Sequence, residues 1–146
     1  MGAAVWVNVT PEFIASDEET TAFVTTSTTF QEFLSLTFTA PLATNYEVRW
    51  FYVWSHDSQA NDFEARVQLD NTTDLIDPND TGIHKQEPKD SAGGGTGGTN
   101  QRYVAAGHRI VALTQGSHDV DLDFRTSSGG DESTVYHAVI SVRRAD

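Results

Sequence analysis

The sequence predicts an all-β fold, an antiparallel two-sheet sandwich, on three observations. Apolar and polar residues alternate with period two along most of the chain. No stretch of about ten residues carries a helical stripe. Thr, Val, Phe, Tyr and Trp, which suit pleated and half-buried surfaces, recur throughout. With 146 residues and 38% hydrophobic content, the chain fits one domain around one core.

The elements follow from the alternation. Ala3 to Val9 reads as a first strand, within an N-terminal arm or strand spanning 1–15. Ser16-Asp17-Glu18-Glu19 reads as an acidic turn, or at most one helical turn, before a strand from Thr20 to Thr28. In Glu32–Thr39, Leu34, Leu36 and Phe38 share one side, and Pro41 ends the run because proline cannot donate to a ladder. Asn45–Ser55 is the strongest strand. Val48, Trp50, Tyr52 and Trp54 lie on one face, and Glu47, Arg49, Phe51 and Val53 on the other. A strand with large apolar residues on both sides needs cover on both sides.

Asp62–Leu69 alternates cleanly, Asp70-Asn71 reads as a turn, and short pieces are expected near Leu75-Ile76 and Ile83–Gln86. The segment 87–100, centred on Gly93–Gly98, has almost nothing to bury and reads as a flexible surface loop. It lacks the register of a phosphate-binding loop. Gln101–Ala105, His108–Thr114 and His118–Arg125 follow, with a tight turn at Gln115-Gly116-Ser117 and a hairpin loop at Thr126–Glu132. In the last strand, Ser133–Arg143, Tyr136, Ala138, Ile140 and Val142 are expected to face inward. Val135, His137 and Val139 are expected to face outward, another outer face too apolar for water. About eight to ten strands with turns at such intervals make a sandwich of the jelly-roll type, a single domain over 16–146.

The formal net charge is −12, from 21 Asp plus Glu against 9 Lys plus Arg. Clustered cations that would release counterions from a phosphate backbone are lacking beyond Arg143-Arg144, so no nucleic-acid partner is expected, nor an anionic membrane surface. There is no cysteine, hence no disulfide or thiolate metal site. Met1–Trp6 lacks the basic and apolar regions of a signal peptide, and export through a Sec-type route is not expected.

No nucleophile elbow or short-range ligand pair marks an active site, so the chain reads as a non-enzyme without a cofactor. Asp119, Asp121 and Asp123 stand about 7 Å apart on one face of one strand. They are a candidate cation site, although a straight strand cannot wrap an ion and a solvated outer face explains them as well. Among the five histidines, His108 and His118 are the two placed to approach each other, across the turn at Gln115-Gly116. Trp50 and Trp54 are candidate stacking platforms for a host glycan, set against the simpler reading that they fill the core.

The segments Asp62–Asp70 (DFEARVQLD), Gln86–Asp90 (QEPKD), Ala105–Gly130 (AAGHRIVALTQGSHDVDLDFRTSSGG) and Ser133–Arg144 (STVYHAVISVRR) carry a further signal. In this order they resemble the jelly-roll modules of the tumour necrosis factor/C1q type found in tailed-bacteriophage virion proteins. The resemblance covers residues 46–144, and the hairpin around Gly116–Leu122 is its most specific part. It implies a homotrimer packed about a three-fold axis on the surface of a virion, as a head decoration protein, spike or fibre head. It further implies a major capsid protein or another virion protein as partner, and synthesis in the host cytoplasm. On this reading the doubled apolar faces put Phe51, Val53, Val135 and Val139 in contacts between chains, and Trp6 on an arm that grips the shell.

Overall fold

The computed structural model describes residues 12–76, 82–86 and 101–145. The expected strand Ala3–Val9, Trp6 and the Gly-rich segment 87–100 lie outside the described residues.

Ten strands are described: β1 (Phe13–Glu19), β2 (Phe23–Thr25), β3 (Gln31–Ala40), β4 (Thr44–His56), β5 (Phe63–Leu69), β6 (Thr73–Asp74), β7 (His84–Gln86), β8 (Tyr103–Leu113), β9 (Gly116–Thr126) and β10 (Ser133–Arg144). They form two antiparallel sheets packed face to face. The first, called here the outer sheet, runs β1-β10-β4-β8 with β2 also on β10; the second runs β3-β9-β5-β6 with β7 also on β5. Setting aside the short β2 and β6, the remaining strands pair first with last (β1 with β10), second with seventh (β3 with β9), third with sixth (β4 with β8) and fourth with fifth (β5 with β7). A chain doubled back on itself and rolled into two sheets has this order, which is that of a jelly roll.

The order changes the meaning of two turns. Gln115-Gly116 and Thr126–Glu132 were expected to join hairpins, yet β8 and β9 lie in different sheets, as do β9 and β10. Both connections are arches that carry the chain from one sheet to the other. Gly116, at a φ of 139°, starts β9 in a conformation that L side chains rarely adopt. His108 and His118 are accordingly on separate sheets and do not meet.

The Ser16–Glu19 segment is strand, not turn. Ser16, Asp17, Glu18 and Glu19 pair with Ser141, Ile140, Val139 and Ala138 of β10. An edge strand tolerates charge because one side faces water, and charge there discourages stray pairing. The turn at Asp70-Asn71 behaves as expected, with both residues at positive φ, 52° and 56°.

The core is the shared inner layer. Tyr46, Val48, Trp50, Tyr52 and Trp54 from β4 meet Phe63, Ala65, Val67 and Leu69 from β5, Val120, Leu122 and Phe124 from β9, and Leu34, Leu36 and Phe38 from β3. Trp54 is the fully buried hub. Its ring stacks on Phe63 at 4.4 Å and on Tyr103 at 4.6 Å, joining β4, β5 and β8 across both sheets.

Trp50 needs a gap beside it, and the directly paired residue on β8 is Gly107. A Cβ at Gly107 would stand 2.5 Å from the Trp50 ring. Gly107→Ala should therefore force the indole or the strand aside and cost about 1–3 kcal/mol. Urea unfolding of the two proteins checks this; equal stability would mean the ring has room to move.

Candidate functional site

The outward face of the outer sheet is the surface that the sequence marks as anomalous. On β4 the alternation holds: Phe51 and Val53 point away from the core and are half-buried, and Val139 on β10 sits opposite Phe51. On β8, Val104 pairs with Val53 and Ala106 with Phe51, so both join this face. Ile110 follows on the same strand face, and Val104 and Ile110 are 64% and 59% exposed. A shallow hollow of about 460 Å³ lies at its centre, lined by Arg49, Trp50, Phe51, Ala106, His108, Val139 and Ser141 around Gly107.

Val135 departs from expectation. It is fully buried and belongs to the core. The cause is a β-bulge: Val135 is opposite Trp54 and His137 opposite Val53, so Tyr136 is an extra residue. One inserted residue reverses the facing of everything before it. Tyr136, expected inside, is instead on the outer side, where its hydroxyl meets Ser55 Oγ at 3.0 Å and Arg102 lies 3.9 Å over its ring.

The acids on this face have side-chain partners within the protomer. Glu47 is paired with Arg49 at 3.0 Å and with Arg143. Desolvation works against its ionised form, but the hydrogen bonds from Arg49 and Arg143 win and hold the carboxyl below its usual value. Glu18 Oε1 is 2.8 Å from His137 Nε2, and the His137 ring stands edge-on to Phe51 at 5.6 Å.

The tryptophans offer no stacking face. Trp54 is fully buried between two rings, and Trp50 is 8% exposed with its indole against Gly107. Of the two readings of this pair, the burial fits the one in which both fill the core.

The Asp row is not a uniformly solvated face, and Asp119 alone of the three is half-exposed. Asp121 and Asp123 are buried, and Arg66 takes Asp123 Oδ2 at 2.7 Å. Arg66 and Arg125 both lie 4.4 Å from the Phe30 ring, on either side of which the charge ladder continues through Arg125 to Glu64. Among the described residues no group of three or more His, Asp or Glu could hold a metal ion. Asp121 Oδ2 has no hydrogen-bond partner, and burial pushes its carboxyl above the ordinary value of 3.8, with Asp123 and Asp119 adding to the effect against the Ser35 hydrogen bond.

His118 is buried between two acceptors, Asp70 Oδ2 at 2.8 Å and the Thr114 carbonyl at 2.9 Å. Both ring nitrogens must donate to satisfy both, which only the imidazolium can do. Desolvation opposes the cation, but the Asp70 hydrogen bond and the Thr114 carbonyl raise its pKa above 6.5. Sequence reasoning missed this staple, since Asp70 and His118 are far apart in the chain. His84 is the opposite case. Burial lowers its pKa, and its Nδ1 accepts from the Tyr52 hydroxyl at 2.6 Å, while burial raises the Tyr52 phenol far above its usual range.

No family model matches the chain, and no curated protein matches it significantly.

Two titration signs follow. The contribution of a raised carboxyl is complete below the unfolded value of 3.8 and is lost as pH rises through the folded value. Asp121→Asn should therefore raise the melting temperature at pH 7, with the gain shrinking as pH falls towards 3. A raised imidazole works in the other direction along the pH axis. Its contribution is complete below about 6.5 and fades as pH climbs past the folded value, so His118→Gln should cost more stability at pH 5.5 than at pH 9. Thermal melts of each variant against the parent at these pH values check both.

Proposed function

We propose that this chain is a structural virion protein, a trimeric decoration or spike protein that binds and stabilises the surface of a tailed-phage capsid. The observation that carries the reading is the outer face of the outer sheet. There Phe51, Val53 and Val139 sit beside Ala106 and Val104, the latter 64% exposed, and Ile110 is exposed further along the same face of β8. Contiguous exposed apolar surface on a soluble domain marks a contact with another macromolecule.

The choice of a second copy as the first occupant rests on charge. The chain carries a net −12, and like-charged copies repel. On this face Glu47 already has two arginine partners within the protomer, and Glu18 is hydrogen-bonded to His137. A surface where acids are compensated is one that a second acidic chain can approach at lower cost. The sequence resemblance to trimeric virion modules, and a jelly-roll strand order of the kind those modules have, point the same way.

Light scattering coupled to size-exclusion chromatography should return the mass of a trimer. Val139→Glu and Phe51→Asp, at half-buried positions outside the core, should shift it to the mass of a single chain while far-ultraviolet circular dichroism stays unchanged. A parent protein that runs as a monomer at all concentrations, and that fails to add to purified phage heads, removes the proposal.

A further inference from the structure

We infer that a polar pocket at the far end of the same sheet binds a neutral saccharide unit. The pocket is lined by Ala22, Val24, Ser55, Asp57, Glu132, Thr134 and Tyr136, and encloses about 300 Å³, room for one sugar ring. It is distinct from the apolar hollow beside Phe51 and from the two tryptophans, and it does not depend on the trimer reading.

The β-bulge of β10 makes this pocket. By adding Tyr136 as an unpaired residue it places a phenol on the outer side of the sheet, where a regular strand would have placed Val135. Bulges re-aim side chains in this way beside functional sites. The Tyr136 and Ser55 hydroxyls share one hydrogen bond of 3.0 Å. Each carries one proton, so the pair has one O–H left to donate elsewhere.

The acidic rim is rigid. The Asp57 backbone N–H donates to the Glu132 carbonyl at 3.1 Å, and the Glu132 N–H donates to Asp57 Oδ1 at 2.7 Å. Neighbouring bonds brace the same two loops: Asn61 Nδ2 to Asp131 Oδ2 at 2.6 Å, and Asp62 N–H to Ser127 Oγ at 2.8 Å. Asp57 keeps a second carboxylate oxygen, and the Glu132 carboxylate has no partner among the described hydrogen bonds and ion pairs.

Two carboxylates are acceptors only, three hydroxyls both donate and accept, and Ala22 with Val24 supplies an apolar wall. A ligand that matches has several vicinal O–H donors on one edge and C–H surface on the other. A sugar ring has both. Its hydroxyls would donate to Asp57 and Glu132, and its C–H face would lie on Val24. Asp57 and Glu132 at the rim disfavour sialic and uronic acids, although Arg102 lies 3.9 Å over the Tyr136 ring.

The test uses the full chain and the methyl glycosides of glucose, galactose, mannose and N-acetylglucosamine, read by saturation-transfer NMR and titration. At least one should bind. Asp57→Asn and Glu132→Gln should each weaken it about tenfold or more, since each removes hydrogen bonds to a charged acceptor. Tyr136→Phe should weaken it less, and Phe51→Asp should leave it unchanged. Thermal melts confirm that each variant folds. Absence of binding by all four glycosides, binding indifferent to Asp57 and Glu132, or signals lost with a chelator and restored by calcium would each overturn the inference, the last by making the pocket a cation site.

Discussion

The stack of Phe63, Trp54 and Tyr103 is the contact on which the rest of this fold depends. Trp54 stands on β4, the central strand of the outer sheet, and its two ring partners come from the opposite sheet and from the neighbouring strand. Phe63 in turn stacks on Phe124 of β9 at 6.1 Å, and Phe23 and Phe33 close on Phe124 edge-first. One connected set of rings therefore spans β2, β3, β4, β5, β8 and β9. The layer costs something in polar satisfaction, because Trp54 Nε1 is buried without a partner. Removing that ring would open the two sheets at their point of closest stacking.

With the inner face of β4 committed to this stack, period-two geometry sends Phe51 and Val53 outward. Burial of one side of a strand and apolarity of the other are linked by alternation alone, so they were readable from Tyr46 to Trp54 without a structure. The same holds for β5 and for the middle of β3 and β9, where Leu34, Leu36 and Phe38 and Val120, Leu122 and Phe124 share one side. The strand order was not readable in this way. Gln115-Gly116 and Thr126–Glu132 look alike to a turn rule whether the chain doubles back in one sheet or arches into the other.

Two further errors have separate physical causes. Val135 was assigned outward because a bulge leaves no mark in composition; only the pairing of Val135 with Trp54 and of His137 with Val53 reveals the extra residue. Asp17-Glu18-Glu19 resembled a turn because strand propensity measures packing on a pleated surface, and at an edge that packing is half absent. Long-range pairing with Ile140, Val139 and Ala138 overrides it. The buried Asp row was misjudged for a related reason. Alternation told which way Asp121 and Asp123 point, but not that Arg66, directly opposite Asp123 on the neighbouring strand β5, would pair with it.

Electrostatics ties these features to function. Excess acid in a small domain is a solubility device, and it resists assembly. The structure distributes the excess unevenly: Glu47 holds two arginines and Glu18 a histidine on the apolar face, whereas Asp57 and Glu132 on the polar rim hold neither Lys nor Arg. A face with its charges internally compensated repels a second acidic chain less than a face of bare carboxylates does. A rim with uncompensated carboxylates must find hydrogen-bond donors in solvent or in a ligand. The same sheet therefore carries two surfaces with opposite needs, separated by the bulge at Tyr136, and a substitution that straightened that bulge would erase the polar site and bring Val135 out to the apolar one.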